Sequence, residues 1–157
     1  MNSRERLEAA LGHCEKIRKE LIFSHGWISK EQINEQWVRN LELDEMKKER
    51  VSAFCARFGK FQDYLSDKVI RLWLEAVGEH VGTALENFSV AERAGILSIP
   101  SEKMVEIRTI RNRLTHEYIE NAKEFSTDLN AVIQLTPALL ETLEKLAGHY
   151  HTVVRKA

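Results

Sequence analysis

The chain has 157 residues, of which 43% are hydrophobic and 30% charged, the balance of a folded globular protein rather than a disordered one. Its formal net charge of -1 argues against a general DNA-binding role, because a protein that wraps duplex DNA carries a basic surplus. A small local basic site acting on one RNA phosphate is not excluded by that balance.

A single domain spanning 1–157 is expected, large enough to bury roughly 70% of the surface its unfolded chain exposes. It therefore needs neither a disulfide nor a metal to hold it. The two cysteines, Cys14 and Cys55, read as reduced core or near-core thiols. The amino-terminal segment carries charges where a signal peptide would be apolar, and no run approaches the ~20 apolar residues that span a bilayer. A cytoplasmic protein with no membrane contact is expected.

Strand signals are nearly absent, and helical periodicity runs almost throughout. The first helix is predicted from Ser3 through Leu7, Leu11, Cys14, Ile17 and Leu21, stopping before Ser24-His25-Gly26. A second helix is predicted from Ser29 as N-cap with Gln32 closing a capping box, carrying Ile33, Trp37 and Leu41. Glu45 to His80 reads as a long helix, and its joining to the preceding helix through Leu43-Asp44 stays open. Ser89 is placed to cap a short helix from Val90 to Gly95.

Pro100 precedes Ser101, which is expected to cap a helix with Glu102 in its first turn. A last helix is predicted from about Asn121 to Val154, with Pro137 kinking it or starting a new one. Together these make an all-α, up-and-down helical bundle of about five to six helices joined by short loops.

The helix from Ser101 holds the segment with chemistry. At 100° per residue with Arg111 as zero, Ile107, Ile110 and Leu114 fall between about 260° and 320°, a narrow core stripe. Tyr118, Arg111, Thr115, Arg108, Asn112 and His116 spread from roughly 340° round to 140°, with Met104 and Val105 in the same arc. One flank of a buried stripe thus presents a cation, an amide, a hydroxyl, an imidazole and a phenol. An arginine fork matches phosphate oxygens and the charge that builds on them in a transition state. An imidazole takes up and returns a proton near neutral pH. Those two roles suffice for metal-free RNA cleavage, in which the ribose 2′-hydroxyl attacks its own phosphate. Asn112 lies four residues before His116 and is placed to orient its ring or to bind a phosphate oxygen.

Arg111-Asn112, three further residues, then His116-Glu117-Tyr118 resembles the signature of the HEPN superfamily, and its Arg-x4-His-x-Tyr form resembles the HepT-like toxin branch. The stretches Arg57 to Leu65 and Ala91 to Ile96 and the helix Ser101 to Tyr118 are similar to family segments too. The likeness covers most of residues 50 to 125, while the first 45 residues match only as generic helices. It implies a helical bundle that homodimerises so that Arg111 and His116 of both copies meet in a composite cleft. It implies a metal-independent endoribonuclease toxin with RNA as substrate and no cofactor. The implied partner is an MNT-type nucleotidyltransferase antitoxin that silences the toxin by AMPylation of Tyr118. Asn112 is the implied supporting residue, and Asp63, in the matching long helix, is expected to line the cleft. The alternative is a non-catalytic subunit whose cleft holds nucleotide or docks the nucleotidyltransferase.

Other groups read as structural. His149 and His151 point to different sides of a helix and are expected at the surface. His13-Cys14 is poor chelating geometry, so no metal site is expected. Trp27, Trp37 and Trp73, with the phenylalanines, follow the helical stripe and read as core and interface anchors rather than as a base-stacking platform. No glycine-rich phosphate loop occurs. Lys47-Lys48-Glu49-Arg50 reads as a solvated face of mixed charge.

Overall fold

The computed structural model describes residues 1–116 and 120–153, with the backbone but not the side chain of His116. The described residues form an all-α bundle with no strand among them, as the periodicity predicts. The elements are α1 (Ser3–Ile28), α2 (Glu35–Arg39) running into a 3-10 turn (Asn40–Leu43), and α3 (Glu45–Tyr64). A π turn (Leu65–Val69) then leads into α4 (Ile70–Ala76), followed by α5 (Ala84–Arg93), α6 (Ser101–His116) and α7 (Ala122–Val153). α3, the π turn and α4 follow one another without a break, so the described residues hold six helical rods.

Cross-contacts give the directions. His13 meets Tyr64, Ser24 meets Arg57 and Trp27 meets Arg50, so α1 and α3 run antiparallel. His25 meets Ile133, and Tyr150 donates to Glu8, so α7 returns antiparallel along α1. Gly59 meets Arg111 while Asp67 meets Arg108, so α6 runs antiparallel to the α3 rod. The core between them is built on Leu7, Leu21, Phe54, Phe58, Phe61 and Trp73, each essentially without exposure. Burying side chains of that size contributes about 1.5–3 kcal/mol apiece.

Several predicted boundaries move, each for a local reason. α1 does not stop before Ser24-His25-Gly26 but continues to Ile28, because Ser24 and Ile28 extend the buried stripe past an exposed Gly26. Ser29 does not open the second helix with Gln32 but closes α1, its N–H donating to the His25 carbonyl at 2.9 Å. Asn34 caps α2 instead, accepting the Trp37 N–H at 2.8 Å, while Asn130 holds the Ile33 carbonyl at 2.9 Å. The open join at Leu43-Asp44 is a break, where Asp44 caps α3 through the Lys47 N–H. The long rod ends at Ala76 rather than His80, with Gly78 at φ 79°, a left-handed turn that glycine adopts without a Cβ clash.

Ser89 lies inside α5, donating back to the Leu85 carbonyl, and the helix starts earlier at Thr83, whose hydroxyl accepts the Glu86 N–H and donates to the Glu86 carboxylate. Ser101 opens α6 but does not cap it. Its N–H and hydroxyl both donate to the Glu92 carboxylate of α5, which supplies the acid at the positive helix end. Asn121 is the cap of α7, accepting the Glu124 N–H. The predicted end at Val154 lies outside the described residues.

Pro137 neither ends α7 nor starts a new helix. A proline removes one N–H, which here leaves the carbonyl of Ile133 without its i+4 donor. The ring of His25 fills that vacancy from α1, with Nε2 3.0 Å from the Ile133 oxygen. A carbonyl only accepts, so Nε2 carries the proton. His149 departs from its expected surface position too: it is half-buried and accepts the Trp73 indole N–H at 3.1 Å. No described helix is long and apolar enough to cross a membrane.

His25→Ala is therefore expected to cost about 1–3 kcal/mol, the range for leaving a buried acceptor unpaired. In a Pro137→Ala background, where residue 137 regains its N–H, the same change is expected to cost much less. Urea denaturation of the four proteins checks this, and equal costs in both backgrounds would contradict the pairing.

Candidate functional site

α6 packs against α7, α5 and α3, with Ile107, Ile110 and Leu114 all buried as the wheel places them. Met104 departs from its expected polar arc and is 1% exposed, because α5 packs on the first turns of α6 and widens the buried face there. Val105 stays 43% exposed.

Arg111 sits where that stripe meets the polar flank, with its side chain 20% exposed. Its guanidinium makes three contacts. Nη1 donates to the Gly59 carbonyl at 3.1 Å and meets the Asp63 carboxylate at 2.5 Å, and Nη2 donates to Asn112 Oδ1 at 3.2 Å. The structure thus brings together Arg111, Asn112 and Asp63 from the predicted set. Asn112 spends its amide oxygen on the neighbouring arginine. The His116 side chain and all of Tyr118 lie outside the described residues.

Gly59 makes the approach of Arg111 to α3 possible. A Cβ built there would stand 2.9 Å from Arg111 Cδ, closer than side-chain carbons approach. A glycine in the interior of a helix costs ~0.5–1 kcal/mol against alanine, so its presence inside α3 marks a close contact. That signal was available in the sequence and was not drawn out of it.

A cavity of about 550 Å³ opens over this contact between α3 and α6, with Asp63, Arg111, Asn112 and Thr115 in its wall. Lys48 and Lys60 add cations, and Val51, Leu114 and Phe125 an apolar floor. Half-buried Cys55 is in the wall as well, but burial pushes its thiol up to about 12. It remains protonated at neutral pH and is not a ready nucleophile. The sequence reads Cys55 as a near-core thiol and Lys48 as part of a solvated face, and gives neither of them nor Lys60 a place in the cleft, since they lie at ordinary positions on a helix face.

The neighbouring arginines of α6 have separate tasks. Arg108 Nη2 meets both oxygens of Asp67, at 2.7 and 2.8 Å. Arg113, inside the motif segment, forms a fork on Asp128 of α7 at 2.9 and 2.8 Å. Asp128 is only 10% exposed through its side chain, so this fork ties α6 to α7 and shelters a carboxylate that would otherwise be stranded. Lys47 and Arg50 are not simply solvated, as they lie over the rings of Trp37 and Trp27.

Comparison of the chain with protein-family models, with curated proteins and with solved structures gives no match.

Gly59→Ala is expected to leave the thermal midpoint within a few degrees of the parent, since alanine's helix preference offsets the lost contacts. The Asp63–Arg111 coupling in a double-mutant cycle, about 0.2–1 kcal/mol for a pair this exposed, is expected to vanish in that background. A coupling unchanged by Gly59→Ala would show that Arg111 does not depend on the missing Cβ.

Proposed function

We propose that the chain is a HepT-like member of the HEPN superfamily: a metal-independent endoribonuclease toxin acting through Arg111 and His116. The observation that carries the reading is the guanidinium of Arg111, which shares α6 with His116, held at a cleft wall by the Gly59 carbonyl and the Asp63 carboxylate of α3. A fork held in advance loses little freedom when a phosphate arrives, which is the condition for electrostatic help in a transition state.

In the proposed reaction the ribose 2′-oxygen attacks the adjacent phosphorus and the bond to the 5′-oxygen breaks. A cyclic 2′,3′-phosphate and a free 5′-hydroxyl result. One histidine takes the 2′-hydroxyl proton and another protonates the leaving oxygen, a division of labour that a homodimer with His116 from each copy provides. Arg111 neutralises the charge building on the phosphate oxygens, and Asn112 supports the arginine. Asp63 gives up its partner, or shares it, as the phosphate enters. A cognate MNT-type nucleotidyltransferase would act as antitoxin by AMPylation of Tyr118, placing bulk and negative charge beside the site.

One observation favours a second reading, a non-catalytic subunit that binds nucleotide or docks the nucleotidyltransferase. The Asp63 carboxylate already satisfies Arg111 within the chain.

Expression of the wild type, Arg111→Ala and His116→Ala in a bacterial host separates the two readings. Growth arrest with RNA cleavage by the wild type, lost in both variants, is the expected result. Normal growth and intact RNA in all three would favour the binding subunit.

A further inference from the structure

On the flank of α3 that faces α1, a second cavity of about 510 Å³ lies open to solvent. Two aromatic rings of α1, Phe23 and Trp27, line it from one side, and Arg50 and Arg57 of α3 line it from the other. Phe23 is 77% exposed, a large ring that folding leaves in water. Each ring has its own cation: the Arg57 guanidinium lies 6.0 Å from the Phe23 centroid and that of Arg50 lies 5.1 Å from Trp27. Arg57 is further fixed by donating to Ser24 Oγ at 2.7 Å. Glu49 is the single acid in the wall, so the lining keeps a net positive charge, and exposed Met46 adds apolar surface.

We propose that this groove binds single-stranded RNA, with bases stacked on Phe23 and Trp27 and phosphates on Arg50 and Arg57. The inference rests on the ribonuclease reading above and extends it, giving the enzyme a place to hold its substrate away from the cut. Phe23 and Trp27 are four residues apart on one helix, so their rings stand one turn, ~5.4 Å, from each other along α1. Flat rings alternating with cations match a strand that alternates bases with phosphates, and stacking accepts any base because every base has a π face. An apolar protein partner would be served by the rings alone and would have no use for a guanidinium on each of them.

The position suits the role. Ser52 and Ala56 line the Arg111 cleft while their chain neighbours Ala53 and Arg57 line the groove, so the two cavities flank the same stretch of α3. Between them α3 is exposed at Ser52 and Ala56, small side chains over which a strand can cross. The crossing is about one helix width, ~10 Å. A local groove of this kind reconciles RNA binding with a chain whose overall charge is -1.

The test uses the full chain carrying His116→Ala, so that the probe survives, and a short labelled single-stranded RNA. Phe23→Ala, at an exposed ring, is expected to weaken binding about tenfold, within the range for losing one base stack. Arg50→Ala is expected to weaken it and to lower the salt slope by about 0.7, the single-strand value for one phosphate. Thermal midpoints equal to the parent's show that both variants fold. Unchanged affinity in both variants would overturn the groove. So would variants that keep RNA affinity but lose binding to the co-expressed nucleotidyltransferase, which would make the surface a protein-docking site. RNA binding that depends on Phe23 and Arg50 in a protein whose wild type never cuts RNA would uphold the groove and sink the nuclease reading alone.

Discussion

The guanidinium of Arg111, caught between the Gly59 carbonyl and the Asp63 carboxylate, is the contact around which the α3–α6 interface is organised. A long cation can approach a helix backbone this closely only where the facing residue has no Cβ, and Gly59 provides that gap. The cost is a weak spot inside α3, offset by the aromatic packing of Phe54, Phe58 and Phe61 on its buried side. The exposed ion pair itself adds little stability. Its effect is to fix where the charge sits.

The rest of the bundle holds α6 in register for that contact. Arg113 forks onto Asp128 of α7, and Arg108 meets Asp67 in the π turn through Nη2 alone, so the helix is tied on both sides of Arg111. α7 is itself anchored to α1 by the His25 ring at the carbonyl that Pro137 leaves unpaired. A proline within a long helix is tolerated because a side chain from another helix supplies the missing donor.

Much of this was legible in the sequence. The all-helical class followed from periodicity, and the burial of Ile107, Ile110 and Leu114 from the wheel. Asp63 in the cleft wall is expected only from family likeness, and its ion pair with Arg111 is a contact that the sequence does not announce. Helix ends were less legible, because tertiary partners decided them. Glu92 serves the start of α6 in place of Ser101, and Ile28 carries α1 past a glycine that reads locally as a stop. His149 was misplaced for the same reason, since its partner Trp73 lies on a different rod. Gly59 could have been read as a close contact, but only pairing α3 with α6 says what it contacts.

In the proposed reaction Arg111 meets phosphate as a fork and not merely as a charge. Purified wild type and Arg111→Lys, incubated with RNA in excess chelator, test it most directly, with the products examined for cyclic phosphate ends. Such ends are expected from the wild type and are expected to be lost almost completely with lysine, which keeps the charge but not the paired donors. Cleavage by Arg111→Lys at the wild-type rate, or none by either protein, would contradict it.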